Sequence, residues 1–269
     1  MSSSVPSAAQ AVPALLQAVA DHADGDIRYR ALVLLVGFND PRTKNAILES
    51  LDSPNDRLRT VAYSFLEHNP DPQLATRLLA ALETEVAEFV RPALVRALAA
   101  LSDLIQVRPA LLREAGRGQD FFRSAVIEAL GDYKAAYAVD ELTAIAKLDG
   151  PLADDAILAL GKIGERKSLL ALVDLEKSAP KSAQPIVATA ICLVVVDCAS
   201  REGYLVETLT FADRNAGFQE ALRSAAAGLG ALGVAGRATA TTALFEIGVP
   251  SQDPTRAPVS LALATIALR

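Results

Sequence analysis

Few side chains in this chain of 269 residues could carry out acid–base or nucleophilic catalysis. Serine and cysteine nucleophiles usually rely on a histidine base, and the chain has only 2 histidines. His22 lies among Asp21, Asp24 and Asp26, but this spacing does not bring the four side chains onto one helix face. His68 is expected to end a helix, where a positive charge complements the helix C-terminus. The sequence therefore predicts no catalytic residue and no metal site.

The two cysteines and the one glycine-rich run also lack the patterns of ligand sites. Cys192 and Cys198 lie six residues apart in an apolar run, a spacing that fits neither a disulfide framework nor a zinc site. We expect both to be buried small apolar side chains. The glycines of residues 229–236 follow no predicted strand and precede no Lys-Ser or Lys-Thr pair, unlike a phosphate-binding loop. They predict helix packing or turns, and no cofactor is expected.

Four arginines recur at intervals of 31 or 32 residues and open a longer repeat. They are Arg28, Arg59, Arg91 and Arg123. Four guanidinium groups at equal spacing could form a positive ridge that binds anions. The repeat continues without the arginine, because Ala153 and Gln184 take the same slot at intervals of 30 and 31 residues.

Each copy of the repeat has apolar residues three, six and seven positions after this slot, which is the spacing of one helix face. The seventh position holds Leu35, Leu66, Leu98, Leu130, Leu160 and Ile191. Asp40-Pro41 and Asp71-Pro72 follow 12 residues after the slot in the first two copies. An aspartate cap followed by proline favours the start of a second helix. Each copy is therefore predicted to form a helical hairpin.

These hairpins resemble HEAT-like repeats, in the short form that also occurs in phycobilin lyases. The resemblance is carried by an apolar residue before the arginine, as in Ile27-Arg28, and by Ala-Leu-Gly later in the helix, as in residues 129–131. It covers roughly residues 24–250 and weakens after Val196. In such repeats the arginine bonds to a turn aspartate of a neighbouring repeat. The resemblance therefore implies as partners Asp40, Asp71 and Asp103.

We predict an all-α fold, an α-solenoid of about seven stacked HEAT-like helical hairpins with terminal helices. The predicted single continuous domain has an N-terminal capping helix in residues 1–23, the repeats in residues 24–250 and a C-terminal helix in residues 251–269. The terminal helices are expected over residues 7–21 and about 255–269. First helices are predicted to start near residues 26, 56, 88, 119, 151, 182 and 218. Second helices are predicted to start near residues 41, 72, 104, 134, 166, 203 and 236.

Composition excludes several classes of function. The chain carries 26 Lys and Arg against 32 Asp and Glu, with no basic half, which argues against a nucleic-acid partner because phosphate contacts dominate such binding. The longest apolar run, residues 186–196, is shorter than the roughly 18 residues of a membrane span. We therefore expect no membrane partner and a soluble, cytoplasmic protein. Among HEAT-like enzymes, deoxyhypusine hydroxylase uses His-Glu pairs and alkylpurine DNA glycosylases use a basic cleft with tryptophan; this chain has neither His-Glu nor Trp.

The function predicted from these observations is a non-catalytic scaffold that binds a protein or peptide on the concave face of its second helices. The polar side chains expected to face the partner are Arg42, Asn45, Glu49, Gln73, Arg77, Arg108, Tyr137, Asp140, Glu141, Lys167 and Asp174. Their charges alternate in sign, which favours a polar protein partner over a polyanion.

Two alternative functions stay open. The first is a bilin lyase-like or chromophore-handling subunit, whose sparse aromatic side chains would be Tyr133, Tyr137, Tyr204 and Phe211. The second is a structural subunit of a larger assembly. The C-terminal helix is apolar nearly all round, and such a helix is usually buried on more than one side. Val259, Leu261, Leu263, Ile266 and Leu268 leave it few polar positions, and we therefore hypothesise that the C-terminal end docks on a second copy or another subunit.

Overall fold

The computed structural model of the chain describes residues 8–38, 40–148, 150–248 and 254–268. Within these ranges the backbone forms α-helices and short 3₁₀ segments, and no β-strand. The chain divides into two compact units, Met1–Ala129 and Leu130–Arg269. The all-α class predicted from the sequence is confirmed.

The first unit consists of helices in antiparallel pairs. They are α1 Ala8–Asp21, α2 Gly25–Phe38, α3 Thr43–Ser50, α4 Asp56–His68, α5 Ala75–Thr84, α6 Arg91–Ala99, α7 Arg108–Ala115 and most of α8 Asp120–Asp132. A 3₁₀ turn, Pro72–Leu74, precedes α5. First helices of successive repeats pack on one another, α2 on α4 and α4 on α6.

The second unit continues the same pattern after the last residues of α8. Its helices are α9 Val139–Ile145, α10 Pro151–Ile163, α11 Arg166–Ser178, α12 Gln184–Val194, α13 Ala199–Arg214, α14 Gln219–Val234, α15 Ala238–Ile247 and α16 Ala257–Leu268. The 3₁₀ turns Ala136–Ala138 and Pro254–Arg256 precede α9 and α16. Helix α10 packs on α12 and α12 packs on α14. Each unit is therefore a stack of helical hairpins.

The predicted helix starts agree with the structure to within three residues except at α7, α9 and α13. Helix α9 starts five residues late because a 3₁₀ turn stands before it. The predicted domain limits stay predictions. Residues 1–7, 249–253 and 269 lie outside the described residues. They include the predicted helix start at residue 7, the 250/251 boundary and the end of the predicted C-terminal helix.

Side-chain caps define the start of several helices in the first unit. The Asp71 carboxylate accepts a hydrogen bond from the Gln73 N–H, and the Asp40 carboxylate accepts one from the Arg42 N–H at 2.9 Å. Asn55 caps α4 in the same way by accepting from the Arg57 N–H. Such caps satisfy backbone donors that have no partner in the helix. The turn at Asp71-Pro72 therefore carries the cap that the sequence indicated, whereas the Asp40 bond lies in the turn before α3, whose N-cap residue Arg42 has no side-chain cap.

The apolar columns of the repeat form the contacts between hairpins. All six residues in the seventh position after the repeat slot are buried. In the sixth position, Ala159 and Ala190 are buried against the preceding first helix, whereas Leu34 is 56% exposed. Leu34 differs because α2 is the first of the repeat helices and only α1 precedes it.

Glycines let the first helices of the second unit approach closely. A Cβ atom on Gly131 would lie 2.8 Å from the Ala159 Cα, and one on Gly161 would lie 2.7 Å from the Ala190 Cα. On α14, a Cβ on Gly230 would lie 3.0 Å from the Ala262 Cβ of α16. The prediction that the glycine run of residues 229–236 serves helix packing and a turn is confirmed, since Gly236 has a φ of 85°.

Cys192 and Cys198 are both 2% exposed, as predicted, but they form a disulfide, so the expectation that they lack a bond is wrong. The chain turns back after α12 and brings their Cα atoms to 5.4 Å, inside the usual range for a disulfide. Arg237 fixes the same turn, because its Nη2 donates to the carbonyl oxygens of Cys192 and Val195 at 3.2 and 2.9 Å. The bond depends on this local turn and not on a framework of several bridges.

Candidate functional site

Charged side chains tie neighbouring repeats together at about one repeat length along the chain. In the first unit Lys44 pairs with Asp71, Arg57 with Asp26, Arg77 with Asp52, Arg96 with Glu67 and Arg113 with Glu83. In the second unit Lys162 pairs with Asp132, Lys167 with Asp140 and Arg201 with Glu176. Charges that the sequence offers to a partner are therefore partly used inside the protein.

Several of the side chains predicted to bind a partner take part in such internal contacts. Arg42 pairs with Asp40, Lys167 with Asp140, and Asp174 with Lys177. Arg108 donates from Nε to the Ser102 carbonyl oxygen at 2.9 Å. Hydrogen bonds from the Arg42 side chain and backbone lower the pKa of Asp40 to about 2, from an ordinary value of 3.8. These side chains therefore stabilise the starts of helices and the contacts between neighbouring repeats.

Four of the predicted residues are exposed and carry no ion pair among the described residues. Asn45 and Glu49 lie on α3, Gln73 precedes α5 and Glu141 lies on α9. Tyr137 is half-buried beside α9. The structure therefore does not gather the predicted residues into one site, but leaves separate exposed polar groups on the second helices.

The predicted partners of the repeat arginines are wrong. Arg59 bonds to both oxygens of Glu85 at 2.7 and 2.9 Å, and Arg91 bonds to Glu114 at 2.7 Å. These glutamates stand at the ends of α5 and α7, so each arginine closes its own hairpin instead of reaching an aspartate in the turn. Arg28 donates to the Val19 carbonyl oxygen at 2.7 Å and Arg123 donates to that of Ala115 at 3.1 Å.

Two of the three turn aspartates have other partners. Asp40 binds Arg42, and Asp71 accepts a hydrogen bond from the Lys44 ammonium at 2.9 Å. This hydrogen bond and one from the Gln73 N–H lower the pKa of Asp71. The short aspartates stay at the turn because their carboxylates cap the next helix. The longer glutamates reach the guanidinium groups instead.

The first unit contains a polar cleft of about 580 Å³ between the end of α3, the middle of α4 and α5. We call it the Arg77 cleft. It is lined by the charged groups Asp52, Arg59, Arg77 and Glu85, by Tyr63 and by the small side chains Ala80, Ala81 and Thr84. The small side chains leave the space that the charged groups surround. Arg77 is the residue of this cleft that the sequence placed among the partner-binding side chains.

The electrostatics of the Arg77 cleft follow from burial and pairing. Burial opposes ionisation of Glu85, but hydrogen bonds from Arg59 and the Ala87 N–H outweigh it and lower the pKa of Glu85. Burial raises the pKa of the Tyr63 phenol, which lies near the charges of Glu85 and Arg59. Tyr63 is only 2% exposed. The phenol is therefore a neutral hydrogen-bonding group at neutral pH.

The second unit contains a cleft of about 790 Å³ at the starts of α10, α12 and α14. We call it the Asp154 cleft. Its polar lining includes Asp154, Asp155, Glu220 and Arg223, and Arg223 pairs with Glu220. Burial and the neighbouring Asp155 carboxylate raise the pKa of Asp154. This cleft thus holds a carboxylate that no direct ion pair stabilises within the described part of the chain.

Comparison with known proteins identifies the repeat. The family model of HEAT repeats matches residues 12–99. This segment therefore resembles HEAT repeats. No curated protein sequence matches it.

Two solved structures resemble this HEAT-repeat chain. Human deoxyhypusine hydroxylase in complex with glycerol is 17% identical over 97% of each chain, with a TM-score of 0.40. The complex of CpcE and CpcF of phycocyanin lyase from Nostoc sp. PCC7120 is 21% identical over 85% of this chain and 96% of that chain, with a TM-score of 0.49.

Two classes of site do not occur among the residues that the structure describes. Their His, Cys, Asp and Glu side chains nowhere form a group of three or more that could hold a metal ion. None of their helices has the length and apolar character needed to cross a membrane.

Sequence reasoning missed most of the lining of both clefts. Tyr63 lies in an apolar helix stripe and resembles a core residue, and Asp52 resembles an ordinary turn residue. One signal was available, because each acidic residue lies about one repeat length from its arginine. Asp52 precedes Arg77 by 25 residues, and Glu85 follows Arg59 by 26 residues. Asp154 gave no such signal, since its surroundings come from three different helices.

Proposed function

We propose that this HEAT-repeat chain is a non-catalytic scaffold that binds a protein or peptide on its second helices. The observation that carries the proposal is that second helices of both units bear exposed polar side chains without internal ion pairs, Asn45 and Glu49 on α3 and Glu141 on α9. Helix α3 packs on α4 and α9 packs on α10, so little ordering of the protein is needed when a partner binds.

The proposed partner has a mixed, polar surface. The free side chains include both carboxylates and an amide, and the chain as a whole carries a formal net charge of −6. A uniformly charged polyanion would be repelled by this charge, whereas a protein surface that carries both basic and acidic groups can complement the exposed carboxylates and the arginines of the chain. Cytoplasmic localisation belongs to the same proposal.

The test is affinity isolation from cells of the source organism, combined with residue-specific variants. Glu49→Lys and Glu141→Lys are expected to reduce recovery of the specific partner several-fold. Glu128→Lys, which makes the same change at an exposed position of the first helix α8, is the matched control and should leave recovery unchanged. Equal losses in all three variants, or no loss in any, would remove the second helices as the binding surface.

A second candidate is a structural subunit that self-associates through α16. Val259 and Ala262 are buried, but the opposite side of the helix forms an exposed stripe of Ala257, Leu261, Ala264 and Leu268. Leu261 is 70% exposed and Leu268 is 85% exposed. Contiguous apolar surface of this kind is typical of an interface.

The pattern of the α16 stripe favours a second copy as the occupant. In an antiparallel pair of α16 helices related by a two-fold axis, Leu261 can face Ala264 of the second copy while Leu268 faces Ala257. Each large side chain then meets a small one, and the stripe contributes no charge to the contact. The α16 stripe of one copy is therefore complementary in shape to the same stripe of a second copy.

Light scattering over a range of concentrations tests this second candidate. The wild-type chain is expected to dimerise, and Leu261→Glu with Leu268→Glu should restore the monomer. The control, Leu148→Glu with Leu170→Glu, adds the same charge at two other exposed leucines and should still dimerise. A wild-type monomer at all concentrations would reject self-association.

The chromophore-handling alternative stays a prediction. Tyr204 and Phe211 are both on α13 and are 40% and 52% exposed. Phe211 already packs edge-to-face on Phe218, with ring centroids 4.9 Å apart. Incubation of the purified protein with a bilin tests this alternative, because binding would change the visible absorption spectrum of the pigment.

A further inference from the structure

We propose that the Arg77 cleft binds a carboxylate of the protein partner, presented by an acidic peptide segment. This inference rests on the proposed scaffold function and specifies the chemistry of one contact. It follows from counting which hydrogen-bonding groups of the cleft are already used and which are free.

The ion pair of Arg59 and Glu85 already has hydrogen-bond partners within the protein. Arg59 donates from Nε and Nη2 to the two oxygens of Glu85, and from Nη1 to the Ser53 carbonyl oxygen at 2.8 Å. Glu85 also accepts the Ala87 N–H at 3.0 Å. The side chains of this pair are 17% and 6% exposed. All three guanidinium nitrogens and both carboxylate oxygens of the pair thus have a partner within the protein, and the pair forms a neutral wall of the cleft.

Arg77, in contrast, uses only one of its three nitrogens. Its Nη2 donates to the Leu48 carbonyl oxygen at 2.9 Å and to the Asp52 carboxylate at 2.7 Å. Its Nε and Nη1 have no partner among the described residues. The Asp52 side chain is 80% exposed, and an ion pair this exposed contributes little stability. A ligand carboxylate can therefore take the place of Asp52 on the guanidinium group.

Tyr63 supplies a second free donor. Its side chain is almost fully buried and lines the cleft, yet its hydroxyl has no hydrogen-bond partner within the described residues. The hydroxyl is therefore free to donate to a ligand oxygen in the cleft. Arg77 and Tyr63 together offer donors to an acceptor, whereas the free acceptor among the charged groups is one oxygen of Asp52. The balance favours a carboxylate ligand over an ammonium ligand.

The size of the cleft agrees with a peptide segment. A volume of about 580 Å³ lies within the range of ligand sites, roughly 300 to 1,000 Å³. The side chains of Ala80, Ala81 and Thr84 are short, so a peptide backbone can approach α5. The acidic side chain of the peptide would then reach Arg77 and Tyr63 from the open side.

The probe for the experiment is a fluorescein-labelled peptide of alternating glutamate and glycine. Peptides with glutamine or lysine in place of glutamate serve for comparison, and binding is followed by fluorescence anisotropy at low salt. The wild-type chain is expected to bind the glutamate peptide in preference to the other two. Arg77→Gln should weaken binding by about tenfold, because a charged hydrogen bond is lost. Arg30→Gln removes the same charge from an exposed position of α2 outside the cleft and should have little effect.

Two further variants keep the proposal falsifiable if Arg77→Gln disturbs folding. Tyr63→Phe should weaken binding of the glutamate peptide by about fivefold. It should not lower the melting temperature, since the hydroxyl makes no internal hydrogen bond. Asp52→Asn should strengthen binding, because Asp52 competes with the ligand for Arg77. If the cleft bound a cation instead, the wild-type chain would bind the lysine peptide and Asp52→Asn would abolish that binding.

The proposal is overturned if the wild-type chain does not bind the glutamate peptide, if Asp52→Asn weakens binding of this peptide, or if Arg30→Gln and Arg77→Gln weaken it equally. These outcomes are independent of the scaffold test. Loss of peptide binding together with retained, Glu49-dependent recovery of a partner would reject the carboxylate site alone. Peptide binding without recovery of a partner would reject the scaffold function.

Discussion

In residues 1–129, arginines of the repeat slot bond to glutamates and join the helices of two hairpins, whereas in residues 130–269 glycines allow successive first helices to meet directly. The first unit buries the Arg59–Glu85 and Arg91–Glu114 pairs. The second unit places Gly131 and Gly161 against the alanines of the next first helix. Its repeat slot holds no arginine, because Ala153 and Gln184 stand there.

The difference has consequences for how each unit responds to its surroundings. Ion pairs depend on pH, because their carboxylates must be ionised. Close packing of glycine on alanine depends on shape and not on charge. We therefore expect the first unit to respond to loss of carboxylates and the second unit to added side-chain volume. The clefts of the two units also differ in the state of their carboxylates. The pKa of Glu85 in the first unit is lowered, whereas the pKa of Asp154 in the second unit is raised.

The largest effect is expected for Glu114→Ala in the first unit. Glu114 is 2% exposed and accepts hydrogen bonds from Arg91 at 2.7 Å and from Arg113 at 2.9 Å. Its removal leaves both cations without this partner, at a cost of about 3 kcal/mol. Urea unfolding measures the loss, and hydrogen exchange should locate it within residues 1–129. Glu83→Ala, at an exposed partner of Arg113, should cost less than about 1 kcal/mol.

In the second unit, Gly161→Ala is expected to destabilise by about 2 kcal/mol. The added Cβ would lie 2.7 Å from the Ala190 backbone, so the two helices must separate. Gly203→Ala is the matched control, because nothing lies within 4 Å of its added Cβ, and it should stabilise α13 by about 0.5 kcal/mol. Thermal unfolding of the two variants should therefore give shifts of opposite sign. Equal shifts would contradict the packing argument.

Removal of the disulfide is expected to cost about 2 kcal/mol, from the chain entropy of closing a short loop. The variant is Cys192→Ala with Cys198→Ala, and reduction of the wild-type chain should give a similar shift in urea unfolding. Thiol quantification under denaturing conditions checks the bond itself. Two free thiols in protein isolated from its own cells would contradict a disulfide there. An intact disulfide would argue against a reducing cytoplasm, where such bonds are rare.

Glu85→Gln tests how the stability of the first unit depends on pH. At neutral pH it is expected to lower the free energy of unfolding by about 1 kcal/mol. The pKa of Glu85 is lowered in the folded protein, so its stabilising contribution is present above the ordinary value of 4.5. That contribution is lost as pH falls through the folded pKa. The stability difference between wild type and Glu85→Gln should therefore shrink on acidification. A difference that does not depend on pH would show that the carboxylate charge is not the cause.

The smallest effect is expected for Asp154→Asn, with the opposite sign. The pKa of Asp154 is raised, so its ionised form disfavours folding at neutral pH, and this penalty disappears as pH falls below the ordinary value of 3.8. The variant should gain no more than about 0.5 kcal/mol at neutral pH, because solvent screens a partly exposed carboxylate. Glu207→Gln, at an exposed site of α13, should show no gain. A loss of stability in Asp154→Asn would indicate that Asp154 has a stabilising partner.

The sequence determined the hairpins because they depend on contacts that recur at a fixed spacing. Leu98 and Leu130 occupy the same column of the repeat, and both are fully buried. The glycines of the Ala-Leu-Gly segments were likewise visible in the sequence as packing residues. A repeat presents the same local pattern several times, so the periodicity identifies the buried face of each helix.

Only the tertiary structure decided which groups meet within and between the hairpins. The partner of Arg59 is Glu85 and not a turn aspartate, because the arginine points to the end of α5. Tyr63 becomes part of a cleft because α5 presents Ala80 and Ala81 opposite it. Cys192 and Cys198 meet because the chain reverses after α12. Such contacts depend on side-chain length and direction in three dimensions, which sequence spacing does not specify.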